Sequence, residues 1–207
     1  MEKNKTILIS GCAGKVGGAV AELFSQRGWD VVGLDLSPEA ENTDSYYQCD
    51  MKDFESVKQI IETIEESKAI DAVFHGAGMT FEGGFEDTNM EDWEELLRTV
   101  LGGAANLCRA AASYMIQRKQ GKIILLAPDY RWVKGDCIME ASAAGTLHGF
   151  AKSFGAEVAK DNILVNALAP NVPIDRSALA ETVFYLAEQD SYTAAQVISM
   201  GGVKDEI

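Results

Sequence analysis

Short apolar runs alternate with segments of helical periodicity along the chain, and this alternation constrains its fold more than any other feature. The predicted strands are rich in Ile, Val and Leu and cover residues 6–10, 31–35, 46–50, 72–75, 123–126, 163–168 and 196–200. Helical spacing of apolar residues predicts helices over residues 17–27, 53–64, 92–118, 141–159 and 177–188. Continuous apolar strands are typical of a parallel sheet that is covered on both faces. The pattern therefore predicts an α/β fold: a single Rossmann-type domain, residues 1–207, built on a doubly wound parallel seven-stranded sheet.

Capping residues mark several of the predicted helix ends. Gly28 is expected to end the first helix and Gly121 the third, because glycine adopts the left-handed conformation that closes a helix. Asp53 is expected to cap the second helix through its carboxylate. Acidic residues at the start of the third helix, including Glu91 and Asp92, suit the positive end of its dipole.

The composition excludes several classes of partner. The chain has 18 Lys and Arg against 32 Asp and Glu, a formal net charge of −14, and 47% of its residues are hydrophobic. Nucleic acid and anionic membrane surfaces are bound through clustered Lys and Arg, so neither is expected here. No apolar run approaches the roughly 20 residues of a membrane span. A predicted strand begins at Thr6, so we expect no signal peptide and a cytoplasmic protein.

The cysteines and histidines do not form a metal-binding pattern. Cys12, Cys49, Cys108 and Cys137 lie far apart in the sequence and include no Cys-x-x-Cys pair. Because a zinc site needs about four clustered ligands, we expect no metal and interpret the cysteines as reduced thiols. The two histidines, at positions 75 and 148, are interpreted as packed residues, the first of them beside a cofactor.

A glycine-rich segment, Ser-Gly-Cys-Ala-Gly-Lys-Val-Gly at residues 10–17, follows the first strand and opens the first helix. In this context it predicts a dinucleotide site: Gly11 permits a tight turn, Gly14 lets a pyrophosphate approach, and Gly17 lets helix and strand pack closely. The N–H groups at the helix start, at Lys15 and Val16, would face phosphate. The alternative is a close-packed turn that binds nothing.

The second predicted strand ends at Asp35. A carboxylate at this position accepts hydrogen bonds from a ribose diol and repels a ribose phosphate. The sequence therefore favours NAD over NADP as the cofactor.

Beyond the glycine-rich segment, the sequence resembles the short-chain dehydrogenase/reductase family over nearly its whole length. Residues 75–78, His-Gly-Ala-Gly, resemble the family's Asn-Asn-Ala-Gly motif with both Asn replaced. Family-like segments also lie at 49–53, 121–124, 149–154, 163–170 and 196–202. The resemblance implies that Asp50 and Met51 contact the adenine, and that Gly76, Ala77 and Gly78 border the cofactor.

The same resemblance implies that the family's catalytic tetrad is missing. Members use an Asn, a Ser, a Tyr that acts as acid and base, and a Lys that lowers the pKa of that Tyr. Counted from neighbouring motifs, these positions hold Val100, Pro128 (or its neighbour Ala127), Glu140 and Ala144. The family's mobile substrate-covering segment is also expected to be deleted, because residues 171–175 lead almost directly into the last helix. We therefore expect a chain that keeps the cofactor half of the site and lacks the chemical half.

Two substitutes for the missing groups are considered. Tyr130 and Lys134 have the family's Tyr-x-x-x-Lys spacing, but that spacing brings two side chains together only on a helix, and this segment follows the fifth strand directly. Glu140 is a conceivable base, although the ordinary carboxyl pKa of about 4.3 suits proton donation at neutral pH poorly.

Three functions follow from this interpretation. The first is a catalytically silent subunit that pairs with an active NAD-dependent paralogue, in a heterodimer or heterotetramer, through helices 92–118 and 141–159 and the last strand, 196–200. A hydroxyacyl-CoA-type dehydrogenase of anaerobic aromatic degradation is one such partner. The second is an active but atypical NAD-dependent oxidoreductase that uses Tyr130, Lys134 or Glu140. The third is an NAD(H)-responsive binding protein.

Overall fold

The computed structural model describes residues 4–79, 81, 84–130, 137–189 and 192–201. Its centre is a seven-stranded sheet in which every neighbouring pair of strands is parallel, in the order β3-β2-β1-β4-β5-β6-β7. The strands are Thr6–Ser10 (β1), Asp30–Asp35 (β2), Ser45–Gln48 (β3), Ala72–His75 (β4), Gly121–Leu126 (β5), Ile163–Pro170 (β6) and Gln196–Met200 (β7). The predicted doubly wound parallel sheet is confirmed.

Helices cover both faces of the sheet. They are Lys15–Gln26 (α1), Phe54–Ser67 (α2), Met90–Leu97 (α3), Gly103–Arg118 (α4), Ile138–Val158 (α5) and Arg176–Glu188 (α6). Helices α2, α4 and α5 bury their apolar residues in one core, and α1 and α6 bury theirs in a second core on the opposite face. The side chains of β1 alternate between the two cores. Leu8 belongs to the first core, and Ile7 and Ile9 belong to the second. The strands are continuously apolar because both of their faces are covered.

Two of the predicted helix ends are confirmed and one is wrong. Gly28 follows α1 with a φ of +79°, and the Asp53 carboxylate accepts the N–H groups of Glu55 and Ser56 at the start of α2. Helix α4, however, ends at Arg118 through Lys119, which adopts the left-handed conformation (φ 55°). Gly121 is the first residue of β5 instead.

The correction at Gly121 has a steric reason. A Cβ atom built on Gly121 would lie 2.3 Å from the Met115 sulphur, so this glycine lets the end of α4 pack on β5. The Lys119 turn is held from outside α4, because its carbonyl accepts the Asn162 side-chain N–H at 3.0 Å and its ammonium pairs with Asp161.

The long predicted helix over 92–118 is two helices joined by one wide turn. Residues Arg98–Gly102 form a π-helical turn between α3 and α4. Such turns are frequent at functional sites, and this one carries Thr99 and Val100 to the carboxyl end of the sheet.

The connection from β6 to α6 consists of Asn171–Asp175. The Asp175 carboxylate accepts the Ala178 N–H at 3.1 Å and so begins α6. In the described part of the chain, no helix has the length and apolarity that a membrane span requires.

Candidate functional site

The candidate site lies where the direction of winding reverses. Strand β1 is paired with β2 on one side and with β4 on the other, so the connections leaving β1 and β4 pass to opposite faces of the sheet. Ligands of open α/β sheets bind in the crevice outside the carboxyl ends of the strands at this point. Here those ends carry Ser10, Asp35 and His75.

The glycine-rich loop is shaped by backbone contacts that exclude side chains. Gly11 has a φ of +75°, and its N–H donates to the Leu34 carbonyl at 2.8 Å. A Cβ on Gly11 would lie 2.7 Å from the backbone nitrogen of Ala77. A Cβ on Gly17 would lie 2.1 Å from the Gly11 carbonyl oxygen. Glycine is therefore required at both positions for the loop, α1 and the segment after β4 to meet.

The N terminus of α1 has no side-chain cap. Gly14 is the N-cap residue, its position offers no side-chain acceptor, and the first turn contains no acidic residue. The first N–H groups of a helix have no partner within the helix, so they are free to bind an anion.

Asp35 is tied to the glycine-rich loop. One of its carboxylate oxygens accepts the Ala13 N–H at 3.0 Å, and the other accepts the Ser37 N–H at 3.1 Å. The segment after β2 is fixed further by the Gln48 side chain, which donates to the Leu36 carbonyl at 2.8 Å. The negative charge of Asp35 is thus held next to the turn that would face a ribose.

A cavity of about 280 Å³, here called the glycine-loop cleft, opens between these elements. Most of the predicted cofactor-binding residues line it: Gly11, Gly14, Asp35, Asp50, Met51, Gly76, Ala77 and Gly78. Three others do not. Lys15 borders a groove between α1 and α6, Val16 packs against the core under α1, and Gly17 lies behind Gly11.

Several residues of the cleft were not predicted from the sequence: Ala13, Leu36, Ser37, Cys49 and Thr99. Ala13, Leu36 and Cys49 each adjoin a predicted residue, and Ser37 lies two positions after Asp35, so wider windows around the predicted residues would have included all four. Thr99 has no such signal, because it reaches the cleft from the π-helical turn.

A second cavity of about 330 Å³, here called the α5 cavity, adjoins the cleft and shares Gly76, Ala77 and Gly78 with it. All four positions that the family resemblance assigned to the tetrad line it: Val100, Pro128, Glu140 and Ala144. The fold therefore brings these four residues, which are far apart in the sequence, into one cavity beside the cleft.

Among the described residues, the titratable side chains that line the α5 cavity are Tyr130 and Glu140. Glu140 accepts the Phe81 N–H at 2.8 Å and so ties α5 to the segment after β4. Burial raises the pKa of Tyr130, and the negative charge of Glu140 raises it further. Tyr130 precedes α5 and is not helical. Lys134, its partner in the Tyr-x-x-x-Lys spacing, lies outside the described residues.

His75 is fully buried and directly precedes Gly76–Gly78, the segment that both cavities share. Its Nδ1 shares a hydrogen bond of 2.7 Å with the Ser10 hydroxyl, and its Nε2 has no hydrogen-bond partner among the described residues. Burial lowers the pKa of His75 to about 4, although the Val100 backbone acts in the opposite direction. The predicted packing of His75 is confirmed by its burial, and its position beside a cofactor stays a prediction. The second predicted histidine, His148, is half-buried, and its Nε2 lies 3.1 Å from the Ala127 carbonyl oxygen.

The cysteines carry no sign of reactivity or metal binding. All four are free thiols. Burial, together with the negative charge of Asp35 near Cys12 and of Asp50 near Cys49, raises the pKa of both thiols to about 11. Within the described ranges, no three His, Cys, Asp or Glu side chains are grouped as metal ligands would be.

The family model described as short chain dehydrogenase matches residues 5–181. This chain belongs to the short-chain dehydrogenase family. It is 27% identical over 242 aligned positions to the 3-oxoacyl-(acyl-carrier-protein) reductase FabG of Thermotoga maritima, covering 97% of each protein. Among solved structures, a short chain dehydrogenase from Mycobacterium smegmatis superposes with a TM-score of 0.86 and 22% identity, covering 98% of this chain and 93% of the other.

A third relative, the structure titled ElxO with NADP bound, has a TM-score of 0.85 and 20% identity, and the match covers 95% of this chain and 97% of that one. The two solved structures show that the short-chain dehydrogenase fold is shared. The alignment with the Thermotoga reductase is longer than this 207-residue chain, so that relative contains residues without a counterpart here.

Proposed function

We propose that this short-chain dehydrogenase is a catalytically silent subunit that binds NAD and pairs with an active paralogue. The observation that supports the proposal is the lining of the α5 cavity, which includes Val100, Pro128, Glu140 and Ala144, the residues that the family resemblance assigns to the tetrad positions. Valine, proline and alanine have no side chain that can hold or move a proton. The remaining position, which the resemblance assigns to the Tyr, holds Glu140, whose carboxylate accepts the Phe81 N–H.

The preference for NAD rests on Asp35. Its carboxylate is fixed against the loop by the Ala13 N–H, so a 2′-phosphate would meet a negative charge that is already anchored. The ElxO structure is titled as binding NADP, and we take that as support for a nicotinamide dinucleotide in the cleft. When bound, the dinucleotide supplies hydride chemistry, and this chain's part is to hold it at Gly11, Gly14 and Asp35.

The proposed pairing surface includes the outer face of α5 and the edge strand β7. Gly145 and Gly149 are exposed on α5, and a Cβ built on either would meet no atom within 4 Å. These glycines would let another chain approach the helix backbone closely. An active paralogue, including one that acts on hydroxyacyl-CoA substrates, would then supply the proton-handling groups that the α5 cavity lacks here.

The test has three measurements. The chain, purified alone, is titrated with NADH by calorimetry, is assayed with a panel of alcohols and ketones, and is recovered from its native cells by affinity purification. We expect NADH binding, no turnover above background, and co-purification of a second short-chain dehydrogenase that carries an intact tetrad. Recovery of a lone chain or a homomer would contradict the pairing, and recovery of a different class of protein would favour an NAD(H)-responsive regulator.

A second candidate function is an atypical active oxidoreductase. The observation in its favour is that Tyr130 and Glu140 line the same cavity beside Gly76–Gly78. Against it, the raised pKa of Tyr130 is opposite to what an acid–base tyrosine needs at neutral pH. If the purified chain turns over a substrate, Tyr130→Phe and Glu140→Gln must each reduce kcat for this alternative to stand.

A further inference from the structure

We propose that the α5 cavity binds a small primary amine, with an apolar body among the aliphatic side chains and an ammonium group on the carboxylate of Glu140. This goes beyond the proposed function, which assigns no ligand to the cavity. It rests on that function only in giving the neighbouring cleft to a nucleotide. The cavity, the Glu140 carboxylate in its described lining and the way that carboxylate is oriented carry the inference.

The cavity has the size and the lining of a small-molecule site. Its volume of about 330 Å³ lies within the range of such sites, roughly 300–1,000 Å³, and a cavity of roughly 150 Å³ already holds benzene. Met79, Leu96 and Leu126 supply apolar surface, together with the small side chains on α5. A ring or a short alkyl chain would therefore fit and be favoured by burial.

Glu140 is the charged side chain of this lining. One of its oxygens accepts the Phe81 N–H at 2.8 Å, which fixes the carboxylate between α5 and the segment after β4. Among the described residues it has no ion pair. The carboxylate is thus oriented by the protein, and in the described part of the chain no cationic side chain neutralises its charge.

A ligand that fills the cavity must also compensate this charge. Water that solvates the carboxylate is displaced when an apolar ligand enters, and burying a charge without a partner is costly. An anionic ligand would add repulsion, whereas an ammonium group would give a charge-assisted hydrogen bond.

The position of Tyr130 near Glu140 also favours a positively charged ligand. The pKa of Tyr130 is raised by burial and then by the negative charge of Glu140. The Glu140 carboxylate therefore makes this side of the cavity electronegative. The neutral phenol has no hydrogen-bond partner among the described residues, and its oxygen can accept one of the three N–H bonds of an ammonium group.

The test uses three probes with the same ring and different charge. Benzylamine, benzyl alcohol and benzoate are titrated into the full chain at pH 7, without nucleotide, by calorimetry and ligand-observed NMR. We expect benzylamine to bind roughly tenfold more tightly than benzyl alcohol, and benzoate more weakly than either. Benzoate that binds as tightly as benzylamine, or failure of all three to bind, would overturn the proposal.

Two matched variants test whether the preference for benzylamine depends on Glu140. Glu140→Gln removes the charge but keeps an oxygen for the Phe81 N–H, so it should reduce the preference for benzylamine to within roughly threefold while benzyl alcohol binds as before. Glu157→Gln removes the same charge from an exposed position of the same helix and should leave the preference unchanged. An unchanged preference in the Glu140 variant would also overturn the proposal. If that variant does not fold, as judged by circular dichroism, the comparison of probes on the unaltered chain decides.

The proposed function and this inference fail separately. Loss of NADH binding in the nucleotide titration would contradict the proposed function while leaving the order of the three probes intact. The reverse result, NADH binding with no preference for the amine, would leave the cofactor assignment standing and remove the amine site.

Discussion

Two adjacent glycines in α1 have different structural requirements. Gly17 has no room for a Cβ, which would lie 2.1 Å from the Gly11 carbonyl oxygen, whereas a Cβ on Gly18 would meet its nearest atom, the Cys12 carbonyl oxygen, at 3.5 Å. We therefore expect Gly17→Ala to lower the free energy of unfolding by about 1–3 kcal/mol or more and to weaken NADH binding, because the loop must shift. Urea unfolding and calorimetry measure both effects.

Gly18→Ala is the matched control for Gly17→Ala. It should be neutral, or stabilising by up to about 1 kcal/mol, because alanine is the better helix former. Equal destabilisation by the two substitutions would show that the close contact at Gly11 does not set the requirement for glycine.

Asp35 carries the second prediction at the scale of single residues. Asp35→Asn removes the charge but keeps an oxygen that can accept the Ala13 N–H at the position of the 3.0 Å bond. We expect the ratio of NADPH affinity to NADH affinity to rise at least roughly tenfold, because repulsion of the 2′-phosphate is relieved. Parallel titrations with the two dinucleotides measure the ratio. An unaltered chain that binds NADPH as tightly as NADH would contradict the role given to Asp35.

What the sequence predicts about single residues depends on how local their contacts are. Gly11, Gly14 and Asp35 were predicted because a tight turn and the end of a strand can be recognised from the residues next to them in the sequence. Thr99 was not, because its place in the cleft depends on a helix that begins far along the chain. The tetrad positions were located through the family resemblance and not through the chemistry of the residues that occupy them.

At the scale of elements, His75 joins three parts of the fold. It ends β4, shares a hydrogen bond with Ser10 at the end of β1, and lies against the start of α4, where a Cβ on Gly103 would be 3.6 Å from its ring. The strands and helices themselves follow from apolar periodicity. The π-helical turn does not, because one extra residue per turn leaves the helical pattern of 92–118 almost unbroken. The left-handed Lys119 likewise depends on Asp161 and Asn162, which are distant in sequence.

The buried histidine makes stability depend on pH in a defined window. Burial lowers the pKa of His75 from 6.5 to about 4, so between these values the unfolded chain binds a proton that the folded chain does not. The free energy of unfolding should therefore fall as the pH is lowered from about 6.5 to about 4, by up to about 1.4 kcal/mol per pH unit from this residue. Urea unfolding at several pH values measures the slope.

His75→Asn isolates that contribution. Asparagine can still share a hydrogen bond with the Ser10 hydroxyl and does not titrate, so the variant should be less stable than the unaltered chain at pH 7.5 and should lose less stability below pH 6.5. All other side chains are common to both proteins, so their contributions cancel in the difference. A difference between the two proteins that is constant with pH would exclude His75 as the source.

At the scale of the whole molecule, the outer face of α5 is the surface on which the proposed pairing depends. Gly149→Leu would place a large side chain where the isolated chain has open space, so the fold, the melting temperature and NADH binding should all be preserved. If α5 lies against a second short-chain dehydrogenase, the same substitution should block its co-purification. Gln59→Leu, on the exposed face of α2, controls for a new surface leucine as such. Retention of the partner by the Gly149 variant, with recovery equal to that of the Gln59 variant, would show that the pairing surface lies elsewhere.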